Sequence, residues 1–167
     1  MPITADEFRG HLSYDPETGI FRRLKGSYRG AKPGDIAGSR HIAGYVKFCL
    51  LGRSYLAHRA AFFHMTGEWP SGDIDHINGD RSDNRWANLR LATRSQNCCN
   101  SQKSRRNSSG HKGIRFHQEF KKWTAEVGFQ GRRLYLGSFD TAEEAKAAYL
   151  NKAAEMHGEF FLGASRT

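Results

Sequence analysis

Cysteine is scarce, and Cys49, Cys98 and Cys99 are the three in the chain. An odd count with an adjacent pair is not a disulfide framework. No C-x-x-C pair is present, so no structural zinc site is expected. Cys49 reads as core, and Cys98 and Cys99 as packing at the end of a helix. Long apolar runs are missing too. No stretch approaches the ~18 residues of a membrane span, and the N-terminus lacks the basic-then-apolar pattern of a secretory signal. The expectation is a protein that meets no membrane and stays in the cytoplasm of the cell that makes it. Acidic residues are outnumbered, with 17 Asp and Glu against 26 Lys and Arg, for a net charge of +9 over 167 residues. That balance suits a polyanionic partner, and the length suits one ordinary domain or two small ones.

The chain is organised around Asp75-His76-Ile77-Asn78-Gly79-Asp80, followed by Asn88 and Asn97. Ile74 and Ile77 mark a short buried strand that carries Asp75 and His76. Residues 79–84 form a turn-rich loop, and Leu89 and Leu91 alternate with Arg90 in a second strand. Thr93 then caps a helix, with Gln96 as its capping-box partner, which places Asn97 in the first turns. Ideal alternation sends Asp75 and His76 to opposite faces. A bend at Asn78-Gly79 is therefore expected if both serve one site.

These residue types suit metal-assisted attack of water on a phosphodiester. Asp75 and the side-chain carbonyl of Asn97 offer oxygen to a hard divalent cation. His76 titrates near neutral pH and can take a proton from water. Asn88 has donors and acceptors enough to tie the loop and to hold His76 in orientation.

The same residues resemble the HNH, or ββα-metal, nucleases, most closely the phage and intron homing endonucleases. The resemblance implies one Mg²⁺ or Mn²⁺ held by Asp75 and Asn97, His76 as general base, and Asn88 as the structural residue. The third signature position is Asn97 rather than His, the H-N-N form. The stretch from Leu56 to Asp80 is similar to the homing family as well. Within it, His58 reads as a packed helix residue, and Arg59 is a candidate phosphate support.

Upstream, Thr4 and Glu7 form a capping box over a short helix, residues 14–19 a turn, and residues 20–24 a strand. A Gly-rich loop over 25–41 carries Lys25, Arg29, Lys32 and Arg40. A strand is predicted over 45–50 and a helix over 55–65, stopped by Gly67. Downstream, residues 101–110 hold no apolar side chain and read as a flexible linker. Its cations Lys103, Arg105 and Arg106 suggest a strap along DNA.

A regular second unit follows. Strands are predicted over 113–117, 123–130 and 133–136. One face carries Ile114, Phe116, Trp123, Ala125, Val127, Phe129, Leu134 and Leu136. Thr141 and Glu144 open a helix whose stripe is Ala145, Ala148, Ala153 and Met156. With the apolar face covered by that helix, the basic face is left to enter a groove. This half is similar to the AP2/ERF DNA-binding domain, through 112–115, 122–126, 133–137 and 140–145. The resemblance implies Lys112, Arg115, His117, Glu126, Arg133, Tyr135 and Tyr149 as DNA contacts. Glu119 and Gly128 depart from the plant pattern, so the plant target sequence is not carried over.

The reading is an α+β protein: a nuclease unit over 1–100 (motif core 73–100), a linker over 101–110, a three-stranded antiparallel sheet on one helix over 111–160, and a tail. The expected function is a site-specific, divalent-metal-dependent endonuclease that, as a monomer, nicks double-stranded DNA. A DNA-binding regulator with a non-cutting HNH unit and a non-specific nuclease are the alternatives.

Overall fold

A computed structural model describes residues 3–26, 30–94, 96–97, 111–129 and 131–161. Arg29, Cys98, Cys99, the linker with Lys103, Arg105 and Arg106, Gln130 and the tail beyond residue 161 lie outside them. The architecture is α+β, with small antiparallel sheets and few helices. Two units divide between Ala92 and Thr93, ahead of the boundary expected at residue 100, and each is described by itself.

In the first unit, Thr4 Oγ1 accepts the Glu7 N–H at 3.2 Å and starts helix α1 (Ala5–Arg9). Strands β1 (Leu12–Asp15) and β2 (Ile20–Arg23) form an antiparallel hairpin. Strands β3 (Ser39–Arg40), β4 (Val46–Leu50) and β5 (Arg53–Leu56) form a three-stranded sheet in that order. Helix α2 (Ala57–Thr66) follows β5 and ends where Gly67 turns left-handed, at φ 82°.

Aromatic side chains dominate this core. Phe8 is fully buried and meets Phe21, Tyr55, Phe63 and Trp69 edge to face. Such contacts add to the burial of each ring. Strands β1 and β5 were not expected. Ser13 and Asp15 blend with the turn signals that follow, and Tyr55-Leu56 sits at the start of the helical pattern. Cys49 corrects another expectation. It lies between buried Phe48 and Leu50 on β4, so the two-residue period turns it outward and leaves it exposed.

The last pieces of this unit are β6 (Asp73–His76) and β7 (Leu89–Ala92), antiparallel, with a 3₁₀ turn over Trp86–Asn88 leading into β7. The register sets Asp75 opposite Arg90 and His76 opposite Leu89.

The second unit opens with the expected capping box. Gln96 Oε1 accepts the Thr93 N–H at 2.8 Å and Thr93 Oγ1 accepts the Gln96 N–H at 3.3 Å, and residues 94, 96 and 97 are helical. Strands β8 (Ile114–His117), β9 (Lys122–Phe129) and β10 (Arg132–Phe139) form an antiparallel sheet with β9 central. Helix α3 (Ala142–His157) starts at the full Thr141–Glu144 capping box. Its buried stripe is Ala145, Tyr149, Ala153 and His157. The expected Ala145 and Ala153 lie in this stripe and Met156 packs half-buried against the same core, while Tyr149 and His157 join them and Ala148 is half-buried. A bulge between Tyr135 and Gly137 shifts the β9–β10 register. Leu134 pairs opposite buried Val127 but is itself 42% exposed, against its expected place on the covered face.

Candidate active site

The site of the first unit is built on β6. Ile74, Asp75 and His76 are all buried. A burial pattern without alternation means that the strand is covered on both faces, so adjacent Asp75 and His76 are both taken from solvent. Beyond His76 the chain turns at once. The Gly79 N–H donates to the His76 carbonyl at 2.7 Å, and Gly79 adopts φ 64°. That is the bend expected at Asn78-Gly79.

Asp75, His76 and Asn88 each have a defined partner. Arg90 Nε donates to Asp75 Oδ2 at 2.9 Å, and Arg90 Nη2 lies 2.9 Å from the same oxygen. A buried carboxylate needs such compensation. His76 Nε2 lies 3.2 Å from Asn84 Oδ1, and Asn84 Nδ2 donates to the Ser82 carbonyl at 3.1 Å. Asn88 spends its whole amide on the loop. Its Oδ1 accepts the Asn78 N–H at 2.9 Å, and its Nδ2 donates to Asn78 Oδ1 at 3.0 Å and to the Asp83 carbonyl at 2.8 Å. Asn88 therefore ties the loop, while the amide against His76 is that of Asn84. This corrects the expectation that Asn88 orients the imidazole. Asn84 was missed because an Asn within Asp83-Asn84 reads locally as a turn residue.

Two buried imidazoles meet at the site. The His58 and His76 rings are edge to face with centroids 5.0 Å apart. Tyr45 lies 5.1 Å from the first and 6.1 Å from the second, with the Arg81 guanidinium 4.9 Å above its own ring. Burial pushes the His58 pKa down to about 3, helped by the neighbouring His76 and Arg59. Burial also lowers that of His76, opposed by the Asn84 hydrogen bond and the charges of Asp75, Asp80 and Asp83. Both rings are thus biased toward the neutral form. His58 Nδ1 finds no hydrogen-bond partner among the described residues. Arg59 donates to the carbonyls of Gly72 at 2.9 Å and Pro70 at 3.0 Å. It clasps the turn into β6 through these two bonds.

The donor set can be weighed against a divalent cation. Among the described residues no group of three or more His, Cys, Asp and Glu is placed to hold a metal. Asp75 is the buried carboxylate on β6, and Arg90 contacts its Oδ2, with the charges of Asp80 and Asp83 also felt at His76. A carboxylate without a full cage of protein ligands fits a hard cation that keeps water and phosphate among its ligands, as Mg²⁺ does. Asn97 belongs to the second unit and its side chain is half-buried.

In the second unit the residues expected to touch DNA divide. Arg115, Glu126, Arg133 and Tyr135 are exposed on the sheet, and Lys112 and His117 are half-buried. Arg133 Nη1 lies 3.8 Å from Glu126 Oε2, and the Tyr135 hydroxyl pairs with Ser138 Oγ at 2.7 Å. Tyr149 is different. It is buried with Ala145 and Ala153 in the core, which corrects its reading as a DNA contact.

Comparisons with known proteins meet this geometry on the same residues. Residues 55–98 match the family model of the HNH endonucleases. Protein 3.8 of Escherichia phage T7 is 33% identical over 87 residues, which span 52% of this chain and 71% of that protein. The chain belongs to the HNH endonuclease family, and it is a nuclease. Its second half is similar to the AP2-like ethylene-responsive transcription factor TOE2 of Arabidopsis thaliana, 36% identical over 54 residues, or 32% of this chain and 11% of that protein. A solved structure of the HNH homing endonuclease I-HmuI aligns at TM-score 0.42 and 21% identity, covering 59% of this chain and 56% of that one.

Proposed function

We propose that this nuclease is a site-specific DNA endonuclease of the homing type that hydrolyses one phosphodiester per site encounter, nicking double-stranded DNA as a monomer. The observation that carries the reading is the pairing of Asp75 with His76 on one doubly covered strand, inside the segment that matches the HNH family.

His76 is the group that takes the proton from the attacking water. Its burial favours the neutral imidazole that this role needs. Asp75 is the carboxylate that would hold one divalent cation, Mg²⁺ or Mn²⁺, which supplies charge neutralisation at phosphate oxygens. The amide ligand expected at Asn97 is tested by its own substitution. Asn88 keeps the loop after β6 in shape. The exposed face of the second unit, with Arg115, Arg133 and Tyr135, is the AP2/ERF-like DNA reader. Glu126 lies on that face between them, Lys112 and His117 flank it, and Lys103, Arg105 and Arg106 add phosphate contacts. Phosphate contacts supply grip and base contacts supply preference.

The test is cleavage of supercoiled plasmid and of a genomic library with Mg²⁺, with Mn²⁺ and with EDTA. Nicks at a few mapped positions, lost with EDTA, in His76→Ala and in Asn97→Ala, are expected. Cutting at very many positions would replace site specificity with a general nuclease, and undiminished cutting by His76→Ala would remove the base assignment.

A further inference from the structure

We infer that Asn84 is a positioning residue that fixes the tautomer of His76, and that the β1–β2 hairpin holds Asn84 in place for this. The inference rests on the reading of His76 as the base. The Asn84 amide is 2% exposed and committed at both ends. Its Nδ2 donates to the Ser82 carbonyl at 3.1 Å, so its Oδ1 is the end presented to His76 Nε2, 3.2 Å away. A carbonyl oxygen only accepts. His76 Nε2 therefore carries the hydrogen, and in a neutral ring the lone pair falls to Nδ1. Choosing which ring nitrogen is basic is what a histidine's second partner does.

The hairpin reaches this amide through its backbone. The Tyr14 hydroxyl, on β1, donates to the Asn84 carbonyl at 2.7 Å within the buried interior. The Trp86 N–H donates to the Pro16 carbonyl at 2.9 Å. Gly19, at φ +71°, lies so close that a Cβ there would stand 2.4 Å from the Asn84 carbonyl carbon and from the Arg85 nitrogen. Three contacts thus fix the Asn84–Trp86 segment from the side of β1 and β2. The hairpin lies outside residues 55–98, which match the family, and is tied by these contacts to the orientation of the imidazole.

The experiment is ¹H–¹⁵N spectroscopy of the full chain labelled at histidine, at pH 7.5, with His76 assigned by its absence in His76→Ala. A hydrogen on Nε2, protected from exchange, is expected. Asn84→Ala should lose that protected signal and lower kcat about 10–100-fold with KM little changed. Asn84→Asp, whose carboxylate still accepts from Nε2, should keep the signal and recover most of the rate. Gly19→Ala should weaken the signal in the same direction as Asn84→Ala. If Asn84→Ala does not fold, the wild-type spectrum and Asn84→Asp decide. A wild-type hydrogen on Nδ1, or loss of the protected signal in Asn84→Asp, overturns the inference. So does an unchanged spectrum in a folded Asn84→Ala. Full cutting by His76→Ala would instead sink the base assignment and leave the spectral result standing.

Discussion

His58 meets His76 edge to face, 5.0 Å between ring centroids, and both rings are buried. Neither can gain a proton there without cost, because desolvation opposes the charged form. His58 shows this most strongly, with its pKa lowered from 6.5 to about 3.

That shift has a pH signature. Below about pH 6.5 the unfolded chain takes up a proton at His58, while the folded chain stays neutral until near pH 3. The unfolded state then binds more protons, so stability falls as pH drops through this window and is level above it. His64, His76 and His157, all shifted down by burial, act in the same direction. Urea titrations at pH 7.5, 6.0 and 4.5 should show the loss. His58→Leu should flatten it by on the order of a few kcal/mol. Parallel curves for wild type and variant would mean that His58 does not supply the slope.

Arg90 and Asp75 answer to a different test. The pair is buried, and Arg90→Met leaves the Asp75 carboxylate without its guanidinium. Breaking a buried pair from one side costs about 3–5 kcal/mol. Removing the second charge as well, in Asp75→Leu with Arg90→Met, should restore much of the stability while cutting stays absent. A double-mutant cycle read by urea unfolding gives the coupling. A cycle that sums to zero would deny the pair any role in folding.

Asn88 predicts a loss of stability rather than of chemistry. Asn88→Ala strips the partners from the Asn78 N–H and the Asp83 carbonyl together. A buried polar group left unmade costs about 1–3 kcal/mol. The melting temperature should drop by several degrees, and activity measured well below it should fall less than in Asn84→Ala. The reverse order would move Asn88 from the loop to the imidazole.

Local signals in the sequence were the ones that survived into the fold. Thr4, Thr93 and Thr141 each cap where the pattern placed them, because a cap needs only residues three positions away. Strands β6 and β7 formed where two short apolar runs lie on either side of a turn. What the sequence left open depends on distant partners. Asn84 looks like any turn residue until Tyr14, 70 positions away, is seen to hold its carbonyl. Tyr149 looked like a groove contact by family position, yet it falls on the four-residue repeat through Ala145 and Ala153 that faces the sheet. Cys49 looked apolar enough for the core, and only its neighbours on β4 decide otherwise.

Gly113 and Gly128 give the last prediction, because they lie in the same sheet unit and differ in what surrounds them. Gly113 adopts φ +74°, and a Cβ on it would stand 2.3 Å from Tyr149 Cε2 and 2.5 Å from the Glu126 carbonyl oxygen. The Glu126 N–H also donates to the Gly113 carbonyl at 2.8 Å, so the backbone cannot move aside without breaking that bond. Gly128 sits in β9 with an ordinary φ, and its Cβ would come no closer than 3.9 Å to the Arg132 carbonyl. Gly113→Ala should therefore cost about 2–4 kcal/mol, from left-handed strain and overpacking against the core tyrosine. Gly128→Ala should change stability by less than about 0.5 kcal/mol. Thermal unfolding of the two variants side by side checks this. Equal melting temperatures would mean that Tyr149 does not pack under Gly113, and would reopen its place on the outer face.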